Sequence, residues 1–227
     1  MTDAPALVIL DCDGVVVDTE RLVQEVDLAM ISDLGWPITL AEIHEQHLGR
    51  STADVAANVA RHIGRPLPGG WLDARRRTYR EAFAERLQPV PGFVDALGRI
   101  TAAGHPTCIA SSGTHDAIRF SLGRTGLLDT FAGRIFSSQD VTHGKPAPDL
   151  FLLAAREMGA APRECVVVED SPSGVAAARA AGMPVVGYAG LTPARLLAEA
   201  DVVIDDMAAL LDAVRRPRFG AWVRDAR

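Results

Sequence analysis

The sequence predicts an α/β fold: a doubly wound parallel sheet, interrupted after its first strand by an α-helical insertion. Three observations carry this reading. From Val90 onward, short apolar runs alternate with segments of helical period, the pattern of repeated β-α units. From Thr19 to about Pro89 there is helical period and no strand signal. The apolar runs also end in acids, hydroxyls or their successors, and ligands of open parallel sheets bind beyond the carboxyl ends of the strands.

The elements follow in order. Leu7-Val8-Ile9-Leu10 is a continuous apolar run of the kind buried on both faces. The insertion opens with a helix from Glu20 to Leu34, with Leu22, Val26, Met30 and Leu34 at helical spacing and Gly35 as its stop. Further helices are predicted over Leu40–Leu48, Thr52–Ile63 and Trp71–Leu87, punctuated by Gly64, Pro66, Pro68, Gly69 and Gly70. The core then continues: helix Phe93–Ala103, strand Thr107–Ala110, helix Ala117–Leu122, strand Ile135–Phe136, helix Leu150–Met158 and strand Cys165–Val168. It ends with helix Gly174–Ala181, strand Pro184–Gly187, strand Val202–Ile204 and a helix near Met207–Val214. The expected division is a core of residues 1–18 and 90–227 and a helical cap of residues 19–89, set above the strand ends and hinged near Asp18-Thr19 and Gln88–Pro91. The polar tail after Arg215 is expected to fray.

Composition bounds the function. The chain has 227 residues, 48% hydrophobic, with a formal net charge of −6, enough for one large domain or a domain with a small companion. A mildly acidic chain gives no electrostatic case for nucleic acid or an anionic membrane. No apolar stretch approaches the roughly 20 residues that span a bilayer, and no leader pattern opens the sequence, so a cytoplasmic location is expected. Cys12, Cys108 and Cys165, odd in number and beside core strands, are expected to be free and buried. Arg75-Arg76-Arg77 reads as a solvated helix face, and His44 and His47 lack the partner ligands a metal pair needs. A monomer or weak homodimer is expected.

Four strand ends carry chemistry. The first gives Asp11-Cys12-Asp13-Gly14, two carboxylates at i, i+2 on one side of an extended chain, followed by a residue that turns the backbone freely. Such hard oxygen donors suit Mg²⁺, and a carboxylate there can act as a nucleophile toward phosphorus. The second ends in Ser111-Ser112-Gly113, a hydroxyl and amide turn fit for phosphate. The third is the loop Gly144-Lys145-Pro146-Ala147-Pro148-Asp149; Lys145 is the single lysine among 23 basic residues, a compact point charge in an arginine background. The fourth is Glu169-Asp170-Ser171-Pro172, two more acids that are costly together without a cation.

This order of Asp/Asp, Ser, Lys and Glu/Asp resembles the haloacid dehalogenase-like phosphatase superfamily, with its Rossmann-like core, over essentially the whole chain. The insertion resembles the capped branch that includes phosphoglycolate phosphatases, sugar-phosphate phosphatases and β-phosphoglucomutase. The resemblance implies a small phosphate ester as substrate, Asp11 as nucleophile and Asp13 as general acid and base. It implies that Ser111, the amide following it at Ser112, and Lys145 hold phosphate, and that Mg²⁺ is bound by Asp11, the Asp13 carbonyl oxygen and Asp170, with Glu169 either a direct ligand or one layer behind them. Glu20, Arg50 and Arg80 are the cap residues expected to meet the substrate. True dehalogenases do not use an aspartate like Asp13, and the phosphonatase branch needs a cap lysine that residues 19–89 lack. The mutase pattern has a histidine where Val23 stands. A phosphatase is therefore expected ahead of a mutase, with a catalytically silent ligand-binding domain as the distant alternative.

Overall fold

A computed structural model describes residues 6–47 and 51–215. The chain divides into two compact units, one formed by the chain up to Val17 together with the chain from Gln88 onward, the other by Asp18–Leu87.

The first unit is built on six parallel strands: β1 (Leu7–Leu10), β2 (Thr107–Ser111), β3 (Ile135–Ser137), β4 (Cys165–Glu169), β5 (Val185–Tyr188) and β6 (Val202–Ile204), ordered β3-β2-β1-β4-β5-β6. The chain winds outward from β1 to β3 and returns beside β1 with β4, which makes the β1/β4 junction the switch point of the sheet. Leu10 pairs with Ile109 on one side and Val168 on the other, so the residues just after β1 lie level with the ends of β2 and β4. Both faces of the sheet are closed. Leu7, Ile9, Cys108, Ala110 and Val167 pack with Leu150, Phe151, Ala154, Val175 and Ala178 of two helices, while Val8, Leu10, Ile109 and Val168, pointing the other way, are also fully buried. The core helices are α5 (Phe93–Ala102), α6 (His115–Arg124), α7 (Asp149–Glu157), α8 (Pro172–Ala180) and α9 (Leu210–Val214), numbered in chain order after four helices of the other unit.

Helix starts depart most from the sequence reading. Thr114 and Ser171 cap α6 and α8 by accepting from Ala117 N–H and Gly174 N–H, so both helices begin two residues before their predicted first residue. Strands β2 and β4 each run one residue further than predicted and bring Ser111 and Glu169 into the sheet. All three cysteines are free and buried; burial pushes the Cys108 and Cys165 thiols up to about 12 and 11. Among the described residues no helix is long and apolar enough to cross a membrane. The predicted fraying after Arg215 lies outside the described residues.

The second unit contains α1 (Thr19–Ser32), α2 (Leu40–Gln46), α3 (Thr52–His62) and α4 (Trp71–Arg86). Ile31, Ile38, Ile43, Val55, Val59 and Trp71 form its apolar centre, and a Thr39/Glu42 capping box starts α2. The solvated reading of the arginine run fails at Arg75. That side chain is 9% exposed and makes a two-pronged bond to Asp27 of α1, Nε to Oδ1 at 2.7 Å and Nη2 to Oδ2 at 2.6 Å, with Tyr79 Oη donating to the same carboxylate. Arg76 and Arg77 are exposed as expected. His44 and His47 bond to Gln24 and Asn58 and serve the packing of the helices.

A buried ion pair costs little while both partners remain and a great deal when one is removed. Arg75→Ala is therefore expected to destabilise the helical unit by about 3–5 kcal/mol, while the triple change Asp27→Leu, Arg75→Met, Tyr79→Phe stays near wild type. Urea unfolding of the two variants checks this; similar losses in both would show that packing, not the stranded carboxylate, sets the cost.

Candidate active site

The strand ends of the core unit bring Asp11, Ser111, Lys145, Glu169 and Asp170 to one place. Asp11 follows β1, and its N–H donates to Val168 O at 3.0 Å, which ties it to β4. Cys12 O then accepts from both Val16 N–H and Val17 N–H, closing a tight turn. Gly14 makes that turn with φ +79°, and a Cβ there would lie 2.0 Å from Asp170 Oδ2. The close approach of the Asp170 carboxylate to this backbone thus requires glycine on two counts.

Lys145 is the hub. Its side chain is 3% exposed, and its Nζ donates to Asp11 Oδ1 at 2.5 Å, to Glu169 Oε1 at 2.7 Å and to Ala110 O at 3.0 Å. The ammonium also lies 4.8 Å from the centre of the Phe151 ring. Burial alone would lower its pKa, but the Asp11 and Glu169 carboxylates overcome this and hold it above the ordinary lysine range.

Glu169 ends β4 and is 1% exposed. Its second oxygen accepts from Ser171 N–H at 2.9 Å and Ser171 Oγ at 2.8 Å. A Cβ on Gly174 would fall 1.8 Å from Glu169 Oε1, so α8 can lie against this carboxylate only with glycine there. The sequence reading set Glu169 beside the metal; its bonds make it also the anchor of Lys145. Sequence reasoning missed Ala110 O, Phe151 and Ser171 as parts of this network. Ser171-Pro172 carried the one usable signal, a hydroxyl cap followed by proline at the first helical position.

Ser111 closes the group from β2. It is 1% exposed, and its Oγ accepts from Gly113 N–H at 3.0 Å, which leaves the hydroxyl proton to donate elsewhere. Ser112 is exposed, and its carbonyl oxygen accepts from Ser138 Oγ. Asp13 is half-buried in the turn after β1.

Carboxylate oxygens of Asp11, Glu169 and Asp170 lie within 4.8 Å of one another. Burial, then the charges of Glu169 and Asp13, push Asp11 up to about 7 against the pull of Lys145. One ammonium does not offset this much negative charge, and the donors are all hard oxygens. The residues fit a divalent cation of the Mg²⁺ kind. The Asp13 carboxylate stands outside that cluster among the described residues.

Of the predicted substrate-contacting residues, Glu20 sits half-buried in the first turn of α1, where its charge acts on Tyr79. Arg80 is exposed on α4, and Arg50 lies outside the described residues.

Comparison with known proteins matches residues 5–182 to the haloacid dehalogenase-like hydrolase family. A Drosophila melanogaster protein named "Probable pseudouridine-5'-phosphatase" is 34% identical over 183 residues, 78% of this chain and 79% of that one. Hexitol phosphatase A of Escherichia coli is 31% identical over 211 residues, 88% and 90% of the two chains. The structure of a HAD family hydrolase from Deinococcus radiodurans with bound phosphate and sodium superposes with a TM-score of 0.83 at 29% identity, over 93% of this chain and 97% of the other. The chain belongs to the haloacid dehalogenase-like hydrolases and is a phosphoric monoester hydrolase.

Proposed function

We propose that the protein hydrolyses small phosphomonoesters, phosphorylated sugars or sugar-like compounds among them, through a phosphoryl group carried on Asp11. The observation that carries this is the single buried ammonium of Lys145 tied to Asp11 and Glu169 at the switch point of the sheet. The relatives named above as acting on pseudouridine 5'-phosphate and hexitol phosphates support the substrate class.

In this reading Lys145 fixes the rotation of the Asp11 carboxylate through Oδ1, and Oδ2 attacks phosphorus in line with the leaving oxygen. Asp13 gives its proton to the departing alkoxide. The Asp11 acyl-phosphate then loses its phosphoryl group to a water whose proton Asp13 takes back, so the two halves balance. Ser111 Oγ and the Ser112 amide hold the phosphoryl oxygens, and the Lys145 charge neutralises them as charge builds. Asp11, Asp170 and the Asp13 carbonyl oxygen, with Glu169 beside them, would hold Mg²⁺. When bound, it supplies positive charge that keeps Asp11 ionised and offsets that of the phosphoryl oxygens. The helical unit supplies substrate selectivity in this reading, with Glu20 and Arg50 as the residues assigned to it.

The direct test is phosphate release from a panel of phosphomonoesters with and without Mg²⁺. Release is expected only with the metal, and Asp11→Asn is expected to retain less than a few per cent of it. Conversion of β-glucose 1-phosphate to glucose 6-phosphate without phosphate release would replace the hydrolase reading with a mutase. A second expectation concerns Gly14. Gly14→Ala displaces Asp170 and is expected to weaken Mg²⁺ binding by roughly 10–100-fold, read by calorimetry on the metal alone. Unchanged affinity would remove Asp170 from the metal site.

A further inference from the structure

Outside the residues already assigned, four consecutive residues at the end of β3 hold the turn that follows β2. Ser137 Oγ donates to Gly113 O at 2.6 Å, and Ser138 Oγ donates to Ser112 O at 2.8 Å. Gln139 Oε1 accepts from His115 N–H at 2.9 Å, and Asp140 accepts from the His115 ring at 2.9 Å and from Ser137 N–H at 2.9 Å. Ser137 is fully buried, and its hydroxyl also accepts from Gln139 N–H at 3.1 Å, so its proton can go only outward to Gly113 O.

The consequence follows from the planarity of the peptide. In a trans peptide the C=O of one residue and the N–H of the next point in opposite directions. Ser138 draws Ser112 C=O toward β3, and the Gly113 N–H is thereby turned the other way. There it donates to Ser111 Oγ at 3.0 Å. That bond occupies an acceptor position on the Ser111 hydroxyl and aims its own proton away from the turn. Ser137 fixes the next peptide plane, at Gly113 C=O, so Gly113 is held on both sides and its N–H cannot swing away from Ser111.

We propose that Ser137 and Ser138 are positioning residues of the phosphate site: through the peptide planes at Ser112 and Gly113 they aim the Ser111 hydroxyl proton at a bound phosphate. The inference rests on the phosphatase reading, because it assigns Ser111 to phosphate. It extends that reading to a segment outside the four strand-end motifs that suggested it. The Asp140 carboxylate holds the Ser137–Asp140 turn to His115 and so keeps the two hydroxyls in register with the turn they grip.

The test is the inhibition constant of inorganic phosphate, with KM and kcat for a chromogenic phosphomonoester measured alongside. Ser138 is only half-buried, and Ser138→Ala is expected to fold as wild type. Losing one oriented hydrogen bond should raise the phosphate inhibition constant and KM together by about fivefold. Ser138→Thr, which keeps the hydroxyl, should restore both. The effect should disappear when Ser138→Ala is made on a Ser111→Ala background, because the two act in series. An inhibition constant that stays within twofold of wild type, or an equal shift on the Ser111→Ala background, overturns the inference and leaves the phosphatase reading standing. A wild-type protein that hydrolyses the ester but is not inhibited by phosphate overturns the inference alone; one that neither hydrolyses the ester nor binds phosphate overturns both.

Discussion

The carboxylates of Asp11, Glu169 and Asp170 converge within 4.8 Å at the ends of β1 and β4, with Asp13 close behind, and the rest of the core unit is arranged around that concentration of charge. Burying one unpaired carboxylate is already costly, and like charges side by side add to the cost. The chain meets it in three ways: Lys145 against two of the acids, the Ser171 amide and hydroxyl against the second oxygen of Glu169, and a donor set suited to a divalent cation. Burial, with the charges of Glu169 and Asp13 behind it, still outweighs the pull of Lys145 and raises the Asp11 pKa in the protein alone. A site poised this way favours a ligand that brings positive charge, and then an anion on top of that charge.

Close packing of acids against backbone also explains two glycines that no turn rule would single out together. Gly14 bends the chain with a positive φ, and a Cβ there would also run into the Asp170 carboxylate. Gly174 lies inside α8 with an ordinary helical backbone, where glycine normally costs roughly 1 kcal/mol relative to alanine. Its value is steric, since any side chain there would occupy the space of the Glu169 carboxylate. Both glycines serve one purpose: each leaves room for a carboxylate against the main chain that a side chain would fill.

The sheet and the strand-end residues were legible in the sequence because buried parallel strands are continuous apolar runs and because topology, not side-chain detail, sends their carboxyl ends to one edge. Leu7–Leu10, buried along its whole length, is read with its observed ends for that reason. The misreadings are of another kind. Arg75 looked solvated because its partner Asp27 lies 48 residues away and on another helix. Ser137 and Ser138 carry no local signal of their role, because the carbonyls they grip are 24 and 26 residues upstream. Local pattern reports which face of an element is apolar; it does not report which polar group across the fold completes a buried one. Helix starts failed for a smaller reason, that Thr114 and Ser171 begin their helices before the first apolar residue is reached.

The use of a single lysine in a chain with 22 arginines follows from the same geometry. Asp11 Oδ1, Ala110 O and Glu169 Oε1 all point at one atom, and the Phe151 ring lies nearby. An ammonium has three protons fanned about one nitrogen and can satisfy three convergent acceptors. A guanidinium spreads five protons over a plane, and it suits acceptors set side by side, as the Asp27 carboxylate is for Arg75. The two cations therefore mark two kinds of site in one molecule. Where the fold asks for a rigid strut between helices, the chain uses the planar fork. At the strand ends, where charge must be shared among groups from β1, β2 and β4 and then offered to an arriving anion, only the point charge meets every partner at once.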